Sequence, residues 1–221
     1  MSEVASPQAA PATPVRLTPT NIAIGLEYLS GVDQQLAALY TRNGSPPLWE
    51  RATGFPTLVH IILEQQVSLA SARAAFTRLQ TACGTVSPTA LLSFNDEEMK
   101  TIGFSRQKAT YCRGLAQVLI EGDLDLESLD MLPDHEVRKQ LVKVKGIGPW
   151  TAEIYLLMVL LRPDSWPIGD LALAVALQDA KSLPTRPGPS ELESMAQPWR
   201  PWRALAARLL WHDYLIKRGL I

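Results

Sequence analysis

KGIGPWTAEIYLL, residues 145–157, joins two stretches whose apolar residues recur at helical spacing, residues 134–143 and 150–161. The turn between them is so short that it demands backbone angles glycine reaches cheaply, which accounts for Gly146 and Gly148. Ile147, between them, is placed to point inward and pin the two helices together. Pro149 suits the first turn of the second helix, where a missing N–H costs nothing. Backbone N–H groups then face outward at a helix N-terminus. That is an anion site able to hold a phosphate, with Lys143 and Lys145 adding charge nearby. On the turn alone, a plain corner between two bundle helices explains the pattern equally well.

The helical pattern continues outward in both directions. Towards the N-terminus, Pro133-Asp134 starts HEVRKQLVKV. Ser105 starts RQKATYCRGLAQVLIEG, which Gly122 ends. Asn95 and Glu98 form a capping box, Ser68 caps LASARAAFTRLQ, and Phe55-Pro56 opens TLVHIILEQQVS with Leu58, Ile61, Ile62 and Gln65 on one face. Thr20 or Asn21 caps a first helix carrying Ile22, Ile24, Leu26 and Leu29. No run alternates apolar and polar residues convincingly, so the expectation is an all-α chain of roughly ten short helices. Residues 1–20 are rich in Pro, Ala, Ser and Thr and bury too little apolar surface to offset ordering entropy, so they read as a disordered tail.

The 221 residues are 47% hydrophobic and 19% charged, an ordinary globular balance. The net charge of −1 does not advertise a nucleic-acid binder, although it says little about a local patch. The C-terminal segment does concentrate Arg200, Arg203, Arg208, Lys217 and Arg218. Two cysteines, Cys83 and Cys112, are too few for an iron–sulfur cluster or a disulfide framework. His60, His135 and His212 lack metal-ligand spacing. No apolar run approaches a membrane span and no secretory signal is visible, so a reducing cytoplasmic compartment, or a nuclear one in a eukaryote, is expected.

The turn acquires company at residues 166–171, WPIGDL. Asp170 follows Gly148 by 22 residues and begins another apolar-periodic segment, LALAVALQ. Turn, apolar helix, Pro-containing loop and an Asp at a helix start together resemble the helix-hairpin-helix DNA glycosylase superfamily. EQQVSLASA (64–72) and WRPWRALAARLLWH (199–212) make the chain similar to its alkylpurine branch, that of 3-methyladenine DNA glycosylase II. The similarity covers roughly residues 55–215.

The resemblance implies a two-lobed all-α fold with a cleft between the lobes. One lobe is expected over about 56–162, carrying the hairpin at 143–150. The other combines 21–55 with 163–221. Asp170 is expected as the catalytic carboxylate. Gly146, Ile147 and Gly148, with Lys143 and Lys145, are expected to bind DNA phosphate. Main-chain carbonyls of Val142, Val144 and Ile147 would hold a structural monovalent cation when DNA is bound. Gln66 falls where relatives insert a wedge side chain, and Trp150, Ile154 and Trp211 fall on the base pocket. Gln66 is polar where some relatives use an apolar wedge, and Ile154 stands where some carry an aromatic. The additional N-terminal β-domain of some members is not expected. The implied partner is damaged double-stranded DNA, with no required cofactor, no membrane and a monomeric chain.

Branches that also cut the backbone carry a lysine directly after the GxGx turn, whose amine forms a Schiff base with the sugar. That position here is Trp150, so base release without strand cleavage is expected. Breaking an N-glycosidic bond builds positive charge on the sugar, which an ionised carboxylate stabilises. Alkylated purines are already cationic and leave readily, and electron-rich ring faces at Trp150 and Trp211 favour them. Two other readings remain open: a relative acting on deaminated or oxidised bases, and a non-catalytic DNA-binding module.

Overall fold

The computed structural model describes residues 15–221. Among these residues there is no strand. Twelve α-helices follow one another: α1 (Pro19–Val32), α2 (Gln34–Asn43), α3 (Phe55–Glu64), α4 (Leu69–Cys83), α5 (Pro88–Leu92), α6 (Asp96–Ile102), α7 (Arg106–Glu121), α8 (Asp134–Leu141), α9 (Pro149–Met158), α10 (Leu171–Lys181), α11 (Pro189–Ala196) and α12 (Arg203–Lys217). Short 3₁₀ turns lie at Ser128–Met131 and Gln197–Trp199.

Most helix starts lie where short polar side chains precede an apolar period. Ser68, Ser87, Asn95 and Ser105 each accept a backbone N–H of the first turn they cap. Asn95 and Glu98 close the reciprocal box, with bonds of 3.0 and 2.7 Å. The first helix begins earlier than Thr20 or Asn21. Pro19 fits its first position and Thr18 caps it, while Asn21 reaches back to the Thr18 N–H at 2.7 Å. Residues 15–18, expected within the tail, are placed against the fold: Leu17 is buried and its N–H donates to the Leu161 carbonyl at 2.8 Å. The remainder of the expected tail, residues 1–14, lies outside the described residues.

Helices α1, α2, α10 and α12 pack on one another. α3 packs on α4, α7 and α9, α5 and α6 pack on α7, and α8 packs on α9. A continuous apolar core runs through both groups, from Leu29 and Leu36 to Leu58, Ile61, Ile62 and Leu156, then to Leu205 and Leu210. Leu29, Leu58, Ile61, Ile62 and Leu156 lie on helical periods read from the sequence, whereas Leu36 lies on α2, which that reading did not place, and α12 is buried all round from Arg203 to Trp211. The two hairpin helices are shorter than the sequence period implies: α8 stops at Leu141 and α9 at Met158. Beyond α9 the chain turns back, with Leu161 at φ 52° and the Arg162 N–H donating to Leu156 O at 2.9 Å.

The loop from Arg162 to Gly169 delivers Asp170 to the start of α10, and charged side chains hold it in place. Glu153 on α9 pairs with Arg138 on α8, accepts the Ser165 hydroxyl at 2.6 Å and the Trp166 N–H at 3.0 Å. Arg203 on α12 grips Asp164 through two side-chain bonds, at 2.7 and 2.9 Å. Arg162 is fully buried, 3.3 Å from Asp134. A polar cleft of about 430 Å³ lies among these ion pairs, bordered by Arg138, Glu153 and Arg203, but neither Asp170 nor Trp150 nor Trp211 lines it.

Candidate active site

Asp170 is the N-cap of α10, and its Oδ1 accepts the Leu173 N–H at 2.8 Å. Gly169 before it takes φ 84°, a left-handed conformation that suits glycine and turns the chain into the helix. The same carboxylate accepts two indole N–H groups. Trp150 Nε1 donates to Oδ2 at 2.9 Å, and Trp211 Nε1 donates to Oδ1 at 3.2 Å. Asp170 therefore lies where the two helix groups meet, touching α9 from the start of α10 beside α12. It is half-buried, directly next to the first residues after the hairpin. Trp211 is 7% exposed and Trp150 is half-buried. Ile154, one turn on from Trp150, is buried within α9.

In the hairpin, Ile147 is buried and its N–H closes on Val144 O at 3.0 Å, so it does point inward. Gly146 takes φ 97°, and a Cβ there would run into the Tyr111 ring. Gly148 differs from the sequence expectation. Its φ of −88° is open to any residue, and a Cβ would meet nothing in the protein within 4 Å. Backbone strain therefore explains the first glycine and not the second. Gly148 is also the N-cap of α9 and supplies no side chain, so the first N–H groups of α9 have no side-chain cap. Lys143 and Lys145 are exposed beside it. Val142 is the C-cap of α8, and the Val144 carbonyl that accepts the Ile147 N–H keeps a second lone pair.

Gln66 is exposed and takes φ 57°, an uncommon left-handed conformation for a side chain of this kind, immediately beyond α3. Val67 and Leu69 beside it are exposed apolar residues. The turn is tied down by two residues to which the sequence reading gave no such role. Gln65 Nε2 donates to Gly146 O at 2.9 Å and to Thr151 Oγ1 at 3.0 Å, linking the Gln66 turn to the hairpin. Lys108 reaches Leu63 O at 2.6 Å and so supports the end of α3. Burial lowers its ammonium below the ordinary lysine range.

Trp49 also escaped the sequence reading. It takes φ 47° in the loop before α3 and meets Trp211 edge to face, with centroids 6.4 Å apart. Arg208 pins that loop. Fully buried, it donates to Leu48 O at 3.0 Å and Leu157 O at 2.7 Å, and burial pulls its guanidinium down to about 9. Nothing in the local pattern of SPPLWE announces this contact. The cationic concentration expected from the C-terminal segment is largely internal: Arg200 and Arg203 pair with Asp164, and Lys217 with Asp213.

The family model of the HhH-GPD superfamily of base excision DNA repair proteins matches residues 59–201, which span the Gln66 turn, the hairpin and Asp170. The chain belongs to this superfamily. Bacillus subtilis YfjP is 27% identical over 186 residues, covering 80% of this chain and 65% of YfjP. A second Bacillus subtilis protein, named DNA-3-methyladenine glycosylase, is 30% identical over 114 residues, 52% of this chain and 38% of that protein. The chain thus spans less than two thirds of these two relatives. The Schizosaccharomyces pombe 3-methyladenine DNA glycosylase Mag1, solved in complex with abasic DNA, superposes with a TM-score of 0.79 at 26% identity, covering 85% of this chain and 95% of Mag1. HhH-GPD membership accounts for the order of hairpin, helix, loop and N-cap carboxylate found here.

Proposed function

We propose that this HhH-GPD protein is a monofunctional DNA glycosylase that hydrolyses the N-glycosidic bond of alkylated purines, of the 3-methyladenine and 7-methylguanine type, in duplex DNA. The observation that carries the reading is a half-buried carboxylate, Asp170, that accepts the indole N–H of Trp150, two residues past Gly148, where an amine would stand in a strand-cleaving relative. The relatives named for 3-methyladenine support the choice of lesion.

The chemistry follows from the groups present. The α9 N-terminus with Lys143 and Lys145 grips backbone phosphates, and Gln66 fills the space an extruded nucleotide vacates. As the C1′–N bond lengthens, its electron pair leaves with the base. A cationic alkylated base departs neutral, so a strong general acid is not needed. Positive charge grows on the sugar, and the Asp170 carboxylate stabilises it. Water then bonds to C1′ and gives up a proton to the surrounding solvent, leaving an abasic site. Trp150 cannot form an imine, so the reaction ends there. The carbonyls of Val142, Val144 and Ile147 would steady the hairpin through a bound monovalent cation.

The test is base release from a panel of duplexes carrying defined lesions, by wild type and Asp170→Asn. The expected result is release of methylated purines without strand cleavage, and a loss of roughly 10²–10³ in rate for the variant with duplex binding retained. Failure of the wild type to release any base on the panel would leave a DNA-binding module and end the enzymatic reading.

A further inference from the structure

The ring faces of Trp150 and Trp211 suit a cationic base, but it is their N–H edges that meet Asp170. An ionised carboxylate offers about four lone-pair sites. At Asp170 three are taken: Leu173 N–H and Trp211 Nε1–H on Oδ1, and Trp150 Nε1–H on Oδ2. Asp33 is a useful internal comparison. It also caps a helix and also accepts an indole N–H, from Trp199 at 3.0 Å. Its Oδ1 takes two backbone N–H groups, and Lys181 at 2.7 Å takes the remaining side of Oδ2. Asp33 is saturated and joins α2, α10 and the segment before α12. Asp170 has the same cap and one more indole, yet no cation closes it among the described residues.

From this geometry, and resting on the glycosylase reading above, we infer that Trp150 and Trp211 are positioning residues that act through their N–H groups. They fix the plane of the Asp170 carboxylate and leave one lone pair, on Oδ2, as the working acceptor towards the sugar. Each indole comes from a different helix, so the carboxylate is aimed only when α9 and α12 are both seated against the start of α10. A ring of similar size without an N–H fills the same space but leaves the carboxylate one donor short, so its plane is less tightly fixed.

The discriminating variant replaces Trp150, or Trp211, with 3-benzothienylalanine, which keeps the bicyclic face and puts sulfur where the N–H was. Single-turnover release of 7-methylguanine should slow roughly ten- to hundredfold for each replacement, the loss of one hydrogen bond to a charged group. Affinity for a duplex with an abasic site should stay within about twofold, because the ring face and phosphate grip are intact. An unchanged rate, or a rate that falls only in step with affinity, overturns the inference. A second readout needs no activity. In Asp170→Ala the indole N–H resonances of Trp150 and Trp211 should move, while that of Trp199 should not. Unmoved resonances overturn the clamp whatever the enzyme does, whereas a wild type that releases no base overturns the glycosylase reading instead.

Discussion

Tyr155, on the inner face of α9, is completely buried, yet its hydroxyl sits near the Gly54 backbone without closing a hydrogen bond of good geometry. A buried hydroxyl with no partner carries its full desolvation cost. Tyr155→Phe removes that group and keeps the ring, so it should stabilise the fold by about 1 kcal/mol, seen as a higher urea midpoint with an unchanged slope. The phenol supplies a second check. Burial, reinforced by Asp130, pushes it up to about 12, above the ordinary value near 10. The folded state thus keeps a proton that the unfolded state gives up, so stability from this group is intact below about pH 10 and lost as the pH rises through about 12. The variant should lose less stability over that interval than the wild type. Equal losses would mean that the phenol titrates alike in the folded and unfolded states and is not shut away from water.

The α8–α9 hairpin separates two roles that the sequence merged. Gly146 is required by its own conformation and by the Tyr111 ring against it, so Gly146→Ala should destabilise by at least about 2 kcal/mol. Gly148 faces open space with an ordinary backbone, so Gly148→Ala should leave stability unchanged or raise it by about 0.5 kcal/mol. Its cost should appear in DNA affinity, because a methyl group there keeps a phosphate from the N-terminus of α9. Thermal unfolding and duplex binding on the same two variants decide this; a Gly148→Ala protein that binds as tightly as wild type would show that no backbone approaches at that point. The two glycines are equivalent as letters, and only the φ angles distinguish them. Other element features were legible because they are local: the caps at Ser68, Asn95 and Ser105 and the Pro149 start each need a few neighbouring residues. Gln66 was assigned by resemblance, but its left-handed turn and the Gln65 and Lys108 bonds that hold it depend on segments 45 to 86 residues away.

Across the whole molecule, the fold class was legible because helical period and capping repeat along the chain, whereas the site's geometry was not. Asp170, Trp150 and Trp211 are separated by 20 and 41 residues, and no local pattern says that two indole edges converge on one carboxylate. The charge balance shows the same limit. A net charge of −1 argues against a nucleic-acid partner until the cations are sorted by what they touch. Arg51, Arg138, Arg162, Lys181 and Arg203 are held by carboxylates inside the fold, and Arg208 is buried against carbonyls. Lys143 and Lys145 are exposed at the hairpin and enter no ion pair among the described residues. DNA attraction should then come from a small number of phosphate contacts, giving a shallow salt dependence for the whole protein. Each phosphate neutralised contributes about 0.9 to the slope of log affinity against log salt, so Lys143→Ala and Lys145→Ala should each lower it by about that much. Lys100→Ala, on an exposed lysine near Glu97, should leave it unchanged. Fluorescence anisotropy with an abasic duplex from about 50 to about 300 mM salt measures the slopes. A double variant with the wild-type slope would place the phosphate grip away from the hairpin, and with it the strand that Asp170 is proposed to meet.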